Sequence, residues 1–305
     1  MSHVLERCPG CESAAQREVF VTRDRHYDIR GEYRVVQCED CELVFLNPMY
    51  EDSELAPFYP EDYYAYQDCF QESSRARKLL KKLLCYEAGT KEPSFDHPGK
   101  LLDVGCGSGW FLARMRDRGW ETYGVEINEI AAKVGAERGK LHIFQGTLLD
   151  ANFPTDYFDY VRLNHSFEHM SCPNETLQEI RRVLKPGGRV LIGVPNHDGM
   201  NARMFGRYWW YLGIPVHPFN YSAANLTSLI TRNGLCVESL TYNSDFSGLL
   251  GSIQIWLNRN DGKKSTEGLL INTIPLKILC HWIAKTFDLV RQGDAIEVIS
   301  RKPSK

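Results

Sequence analysis

The stretch from residue 100 to residue 110, K-L-L-D-V-G-C-G-S-G-W, constrains the fold of this chain more than any other. Its apolar beginning is typical of a buried parallel strand, and the run ends at once in Gly105, Gly107 and Gly109. Glycines permit a tight turn from strand to helix and let a ligand approach the backbone without meeting a Cβ atom. The stretch therefore predicts a cradle for a small ligand at the start of a helix.

An acidic residue further along indicates what kind of ligand the cradle takes. Glu126 follows Gly105 by 21 positions and lies at the end of the strand-like run T-Y-G-V-E-I. A carboxylate at the end of such a strand can accept hydrogen bonds from ribose hydroxyls. A dinucleotide would also fit, but its fingerprint G-x-G-x-x-G needs glycine at position 110, where this chain has Trp. The ligand is therefore expected to carry a ribose without being a nicotinamide dinucleotide.

Further motifs accompany the glycine turn and make the pattern specific. They are Asp103 before the first glycine, F-D-Y-V at 158–161 and R-V-L-K-P-G-G-R-V-L-I at 182–192. With these motifs the chain resembles the class I S-adenosylmethionine (SAM)-dependent methyltransferases, over roughly residues 100–300. The resemblance implies that the cofactor is SAM and that the fold is α/β, with a Rossmann-like sheet of seven strands.

The same resemblance assigns residues to the cofactor site. The residues expected to bind SAM are Asp103, Gly105, Cys106, Gly107, Gly109, Glu126, Ile127, Thr147, Leu148, Asn164 and His165. The loop residues would hold the methionine and ribose portions, and Ile127 would flank the adenine. Thr147 stands where many relatives have an adenine-contacting Asp, and Leu148 is able to supply a backbone N–H there. Asn164 and His165 would lie beside the sulfonium.

The length and charge of the chain limit its class. A chain of 305 residues can bury one large core, or one large and one small domain. The net charge of −3 lacks the basic excess that grips a phosphate backbone, so nucleic acid is not expected as a partner. The N-terminus lacks the apolar core of a signal peptide, and no window approaches the roughly 20 apolar residues of a membrane span. A cytoplasmic location is expected.

Four cysteines near the N-terminus form two C-x2-C pairs. Cys8 and Cys11 are separated from Cys38 and Cys41 by 26 residues, which allows four thiolates to converge tetrahedrally on one zinc ion. Short β-rich runs surround both pairs, so residues 1–50 are predicted to form a zinc ribbon. Because a four-cysteine site has no open coordination position, the zinc is expected to be structural. Substrate docking and redox sensing are the other roles considered.

The remaining chain is predicted to form a connector with a helix at residues 51–99 and a main domain at residues 100–305. Strand-like and helix-like runs alternate through the main domain, which predicts a parallel sheet with helices on both faces. An aromatic insertion is expected at about 197–221, and its rings would either stack on an acceptor or pack as a lid. An amphipathic helix is expected at about 273–292. Its apolar face would pack on the domain, across a homodimer or, peripherally, on the inner face of the membrane.

Two histidines are the candidates for the catalytic base. His217, in the aromatic insertion, is the first choice and His169 the second, because a positioned imidazole can take a hydroxyl proton as the new bond forms. In the run H-S-F-E-H, His165, Glu168 and His169 would share one face of a helical turn. A similar E-x-x-E-H run in ubiquinone-type O-methyltransferases binds a divalent metal, but His165 replaces the first acid here. A structural hydrogen-bonded pair and a metal site therefore both stay open.

The whole pattern resembles a family of bacterial methyltransferases in which a four-cysteine zinc-binding region precedes a class I domain. The resemblance lies in C-P-G-C, C-E-D-C-E-L-V-F-L-N-P, F-Y-P-E-D-Y-Y, V-P-N, F-G-R-Y-W and H-P-F. Such proteins often accompany genes of cell-surface glycan or natural-product biosynthesis. The resemblance implies SAM-dependent O-methylation of a sugar hydroxyl in polysaccharide or related biosynthesis, with a glycan or small molecule as acceptor.

Three other functions are kept as alternatives. The first is a small-molecule or natural-product O- or C-methyltransferase. The second is an RNA methyltransferase, which the acidic charge balance disfavours. The third is a non-catalytic SAM-binding protein, which would keep Asp103 and Glu126 but show no turnover with any acceptor.

Overall fold

The computed structural model of the protein describes residues 3–27, 29–50, 54, 58, 98–260 and 268–304. The predicted connector and helix at residues 51–99 lie almost entirely outside this part of the chain. The division into a ribbon, a connector and a main domain therefore stays a prediction. The described residues form two β-sheets and the helices around them.

The N-terminal residues form an antiparallel meander of three strands. They are β1 (Gln16–Thr22), β2 (Tyr33–Cys38) and β3 (Val44–Leu46). Aromatic and β-branched residues, as in Y-R-V-V-Q-C, favour extended backbone here. Because β2 ends at Cys38, the second C-x2-C pair lies in the turn between β2 and β3. This layout is the one expected for the N-terminal ribbon.

Strands and helices alternate through the rest of the described chain, as the sequence predicts. In chain order the elements are β4 (Lys100–Val104), α1 (Trp110–Arg116), β5 (Glu121–Glu126), α2 (Glu129–Glu137), β6 (His142–Gln145), β7 (Phe158–Asn164), α3 (Pro173–Val183), β8 (Leu184–Pro195), α4 (Met200–Phe205), β9 (Phe219–Asn220), α5 (Ala223–Arg232), β10 (Cys236–Tyr242), α6 (Phe246–Leu257), α7 (Ile274–Leu289) and β11 (Ala295–Arg301). The predicted N-cap Asn128 accepts a hydrogen bond from the Ala131 N–H and so starts α2.

Seven of these strands form one sheet in the order β6-β5-β4-β7-β8-β11-β10. Strands β6, β5, β4, β7 and β8 are parallel to one another, whereas β11 pairs antiparallel with both β8 and β10. The central strands are buried and apolar, as helices on both faces require. This arrangement confirms the predicted class I methyltransferase architecture. It also brings the carboxyl ends of β4, β5 and β7 to one edge, where ligands bind in such sheets.

Strand β9 lies in the aromatic insertion but pairs with the N-terminal sheet. Its residues Phe219 and Asn220 are in register with Phe45 and Val44 of β3, which gives that sheet the order β1-β2-β3-β9. The buried rings of Phe45 and Phe219 have centroids 6.4 Å apart. The N-terminal and main sheets therefore share one hydrophobic core.

Two rings of the aromatic insertion pack against the protein itself. Trp209 is buried, and its Nε1–H donates to Asp294 Oδ1 at 3.2 Å. The Tyr211 hydroxyl donates to Asp245 Oδ1 at 2.8 Å. For these two rings the structure supports packing rather than stacking on an acceptor.

Helix α7 lies within the predicted C-terminal amphipathic segment. Cys280 packs against α6 and Ala284 is also buried, whereas Leu279 and Trp282 are exposed. Contact of the exposed side chains with a membrane surface or a second copy of the chain stays a prediction. Among the helices of the described residues, none has the length and apolar character needed to cross a membrane.

Candidate active site

The glycine turn that follows β4 has the backbone geometry that its sequence predicts. Gly105 has φ +74° and Gly109 has φ +85°, in the left-handed region that favours glycine. A Cβ atom on Gly105 would lie 2.5 Å from the Cβ of Ser166, so the turn packs directly on the segment after β7. The cradle thus depends on glycine both for its conformation and for its close contact with Ser166.

Glu126, at the end of β5, anchors the glycine turn. One carboxylate oxygen accepts from the Gly107 N–H at 2.7 Å and the other from the Asn128 N–H at 2.9 Å. The side chain is 6% exposed, so burial raises its pKa, while these two N–H groups act in the opposite direction. Each oxygen keeps a further lone pair, which suits the expected hydrogen bonds from ribose hydroxyls. The geometry therefore fits the role that the sequence predicts for Glu126.

Asp103 forms a buried ion pair with Arg162, a partner that the sequence motifs do not indicate. Its carboxylate is 1% exposed and accepts from Arg162 Nη1 at 2.9 and 3.1 Å. The two residues are in register on the neighbouring strands β4 and β7. Burial raises the pKa of Asp103, and the Arg162 charge opposes that rise. The visible role of Asp103 is to fix the strand before the glycine turn, and direct contact with SAM stays a prediction.

The other predicted cofactor residues lie around the same edge of the sheet. Ile127 is exposed beside Glu126, as a residue that flanks a bound adenine should be. The Thr147 hydroxyl donates to Asp150 Oδ2 at 2.6 Å, and Leu148 is buried in the core. Burial raises the pKa of the Cys106 thiol well above its ordinary value, so this side chain stays uncharged.

The segment after β7 forms a short 3-10 turn at Phe167–His169. The Ser166 hydroxyl donates to the Val104 carbonyl at 2.7 Å, which ties this turn to the end of β4. Nδ1 of His165 lies 3.5 Å from Oε1 of Glu168. The turn therefore places Glu168 close to the glycine turn and next to His165.

His217 joins this group from the aromatic insertion. Its ring centroid lies 4.6 Å from that of His169, and ligand atoms of Glu168, His169 and His217 all lie within 4.8 Å of one another. The turn Gly213–His217 fixes the ring position, since the His217 N–H donates to the Gly213 carbonyl at 2.9 Å. A Cβ on Gly213 would meet the His217 ring, so glycine is required there. The structure thus brings together the two histidines that the sequence proposes as bases.

Burial sets the charge states in this cluster. It lowers the pKa of His217 to about 3, and the neighbouring His169 adds to the decrease. Burial opposes ionisation of Glu168, but the hydrogen bond with His165 and the nearby histidines lower its pKa overall. At neutral pH the cluster therefore contains a carboxylate and an uncharged His217 ring.

The four N-terminal cysteines converge as their spacing predicts. Sγ of Cys8 lies 3.5 Å from Sγ of Cys41, and Sγ of Cys11 lies 3.4 Å from Sγ of Cys38. All four sulfur atoms lie within 4.8 Å of one another. A tetrahedral zinc ion with Zn–S bonds of about 2.3 Å requires sulfur atoms about 3.8 Å apart. The donor set therefore fits one structural zinc ion.

We expect about one zinc ion per chain in the purified protein, bound by these cysteines. Replacing Cys38 by serine removes one thiolate ligand and should reduce the zinc content severalfold, as measured by mass spectrometry of the metal on purified samples. The exposed Cys236 provides the control, because Cys236→Ser should leave the zinc content unchanged. An equal zinc content in both variants would contradict this assignment.

Comparison with known proteins agrees with the fold. The family described as Methyltransferase domain matches residues 71–240. The chain is 31% identical over 152 residues to the demethylmenaquinone methyltransferase of Listeria welshimeri, covering 46% of this chain and 60% of that protein. It is 35% identical over 102 residues to the ubiquinone/menaquinone biosynthesis C-methyltransferase UbiE of Burkholderia mallei, covering 31% and 42%. The chain thus spans about half the length of these curated relatives.

A solved structure extends the similarity of fold to most of the chain. It is one chain of the complex between the Haloferax volcanii Trm112 methyltransferase activator and the putative methyltransferase, with a TM-score of 0.54 and 19% identity over 80% of this chain and 96% of that one. At this identity the match supports the fold alone. Because the family match covers more than half of the 305 residues, the chain belongs to the methyltransferase-domain family and has the fold of its SAM-dependent enzymes.

Proposed function

We propose that this SAM-dependent methyltransferase transfers a methyl group to a sugar hydroxyl in surface-glycan or related biosynthesis. The observation that carries the proposal is the convergence of Glu168, His169 and His217 next to the glycine turn. A hydroxyl acceptor must be oriented by hydrogen bonds and must lose a proton, and this cluster offers groups for both tasks.

The cofactor side of the site supports an in-line transfer. The glycine turn and Glu126 would hold the ribose and methionine portions of SAM at the carboxyl ends of β4 and β5. Asn164 and His165 end the neighbouring strand β7, so the methyl group would point toward the segment that carries Glu168. Methyl transfer is a displacement at carbon, and most of its acceleration comes from alignment of the acceptor oxygen.

His217 is suited to take the proton in spite of its low pKa. An attacking hydroxyl becomes strongly acidic as its oxygen forms the bond to the methyl carbon, so a weak base is sufficient late in the reaction. The ring is uncharged across the physiological range, because its pKa is lowered to about 3. His169 is the second candidate for the same role.

Replacing His217 by asparagine should lower the turnover about a hundredfold, the lower end of the range for general bases, because a weak base contributes less. SAM affinity should stay unchanged, since the ring lies on the acceptor side. Turnover would be measured as S-adenosylhomocysteine production and SAM binding by calorimetry. The exposed His142 on β6 gives a matched control in His142→Asn. Wild-type turnover in His217→Asn would remove this residue from the mechanism.

A second class of acceptor competes with the sugar hydroxyl in this proposal. The relatives from Listeria and Burkholderia are named as quinone-pathway methyltransferases, and a quinol carbon is therefore the second candidate acceptor. Assays of the purified protein with nucleotide sugars, free glycans and a demethylated quinol would distinguish them. Turnover with the quinol and with no sugar would contradict sugar methylation. RNA and other small molecules belong in the same panel, and lack of turnover with every acceptor would favour a non-catalytic SAM-binding protein.

The zinc ion has a structural role in this proposal. Cys38 ends β2, and the Cys38 N–H donates to the Leu43 carbonyl at 3.0 Å, directly before β3. Because β3 pairs with β9, the zinc site would also fix the strand that follows His217. The zinc ion would therefore contribute to catalysis only by holding β9, and with it His217, in position.

A further inference from the structure

We propose that Glu168, His169 and His217 bind a divalent transition-metal ion. One ligand atom from each side chain lies within 4.8 Å of the other two. The ligands come from two segments, the 3-10 turn after β7 and the aromatic insertion. The grouping differs from the H-S-F-E-H run in the sequence, because His217 rather than His165 completes it. It is also separate from the four-cysteine cluster.

Backbone carbonyls fix both imidazole rings in the orientation that a metal ligand needs. Nδ1 of His169 lies 2.7 Å from the Val216 carbonyl oxygen, and Nδ1 of His217 lies 3.0 Å from the Tyr211 carbonyl oxygen. A carbonyl oxygen only accepts, so each neutral ring carries its hydrogen on Nδ1 and its lone pair on Nε2. Metal-binding histidines are commonly held in this way, by a hydrogen bond from the nitrogen that does not bind the ion.

The carboxylate of Glu168 has one oxygen without a visible partner. The residue is 1% exposed, and its Oε1 faces His165 Nδ1 at 3.5 Å. Its Oε2 is buried and accepts no hydrogen bond from any residue that the structure describes. A buried carboxylate oxygen left unsatisfied is strongly unfavourable. A cation between Glu168 and the two imidazole rings would satisfy it, with His165 holding the other oxygen.

The donor set indicates the class of ion. Two imidazole nitrogens and one carboxylate oxygen suit Zn²⁺, Mn²⁺, Fe²⁺ or Co²⁺ better than Mg²⁺ or Ca²⁺, which prefer oxygen ligands throughout. Three protein ligands leave a coordination position open, as in catalytic metal sites. An acceptor hydroxyl could occupy that position. With the ion bound, Nε2 of each histidine would be a metal ligand rather than a base, and the ion itself would lower the pKa of the hydroxyl. This last point rests on the proposed function, whereas ion binding does not.

The test uses Mn²⁺ as the probe on the full chain loaded with one equivalent of zinc, which the four cysteines bind first. Thiolate sites prefer Zn²⁺ to Mn²⁺, so added Mn²⁺ reports on the second site and not on the cysteines. Loss of the free-ion signal in electron paramagnetic resonance gives the affinity and the stoichiometry. We expect about one Mn²⁺ per wild-type chain, and binding at least about a hundredfold weaker in Glu168→Gln and in His217→Asn, because each removes a direct ligand.

Two control variants distinguish Mn²⁺ binding at the proposed site from nonspecific Mn²⁺ binding at the protein surface. Glu175→Gln and His142→Asn change exposed residues elsewhere and should keep the wild-type Mn²⁺ affinity. Calorimetry with SAM on the same samples shows which variants are folded, and His169→Asn replaces any variant that does not bind SAM. A second equivalent of Zn²⁺, bound in the wild type and lost in Glu168→Gln, would equally support the proposal.

Two results would overturn the proposal that these three residues bind a metal ion. One is a zinc-loaded wild-type protein that binds neither Mn²⁺ nor a second zinc ion. The other is Mn²⁺ binding that stays unchanged in folded Glu168→Gln and His217→Asn. Since the titration contains no acceptor, lack of sugar methylation with intact Mn²⁺ binding would count against the proposed function and leave the metal site standing.

Discussion

Replacing Glu126 by alanine should weaken SAM binding by about a hundredfold to ten-thousandfold. The change removes the expected acceptor for two ribose hydroxyls, and hydrogen bonds to a charged group contribute about 1.5–3 kcal/mol each. It also removes the carboxylate that holds the Gly107 and Asn128 N–H groups, so the glycine turn loses its anchor. Calorimetric titration with SAM and with S-adenosylhomocysteine would measure the loss.

The neighbouring Glu129 is the matched control for this experiment. It is exposed in the first turn of α2, so Glu129→Ala should leave SAM affinity within about twofold of the wild type. Glu126→Gln should fall between the two, because the amide keeps an acceptor oxygen but loses the charge. Full SAM affinity in Glu126→Ala would mean that the ribose does not bind at the end of β5.

The second large effect is expected on stability. Replacing Asp103 by alanine leaves the Arg162 guanidinium buried without its partner, and breaking such a pair costs about 3–5 kcal/mol. Arg162 also lies over the Phe111 ring, 4.1 Å from its centroid, so it cannot simply turn to solvent. The free energy of unfolding should fall by about this amount in urea titrations monitored by circular dichroism.

A double variant tests the physical reason for that loss. Asp103→Leu combined with Arg162→Met removes both charges and should be more stable than Asp103→Ala, because apolar residues often replace a buried ion pair without penalty. If Asp103→Ala unfolds at the wild-type urea concentration, the pair does not stabilise the fold. Reduced SAM binding at full stability in Asp103→Ala would instead restore the direct cofactor role that the sequence suggests.

The sheet and the cofactor cradle could be predicted because local signals determine them. The apolar run before Gly105, the acid at Glu126 and the cap at Asn128 each act within a few residues, and the structure has all three where expected. The four cysteines could be assigned to one zinc site from their spacing alone, because a structural zinc ion needs four ligands in a tetrahedral arrangement. These features depend on residue types and their spacing rather than on contacts between segments that are far apart in the sequence.

The acceptor side of the site depends on contacts between distant segments. His217 meets Glu168 only because the insertion returns to the N-terminal sheet as β9, and a two-residue strand leaves no periodic signal in the sequence. Arg162 was missed for a different reason. An arginine inside a buried apolar strand needs a partner, and that was a usable signal for its pairing with Asp103.

The pairing of β3 with β9 has a consequence for how the protein unfolds. A peripheral zinc module on a flexible tether could melt, or be removed, without effect on its neighbour. Here the edge of β9 is covered by β3, and Phe45 lies on Phe219 within a shared core. The two regions should therefore form one cooperative unit, whose amides become exposed to hydrogen exchange together. Without β3, strand β9 would have an unpaired edge a few residues after His217, the proposed base.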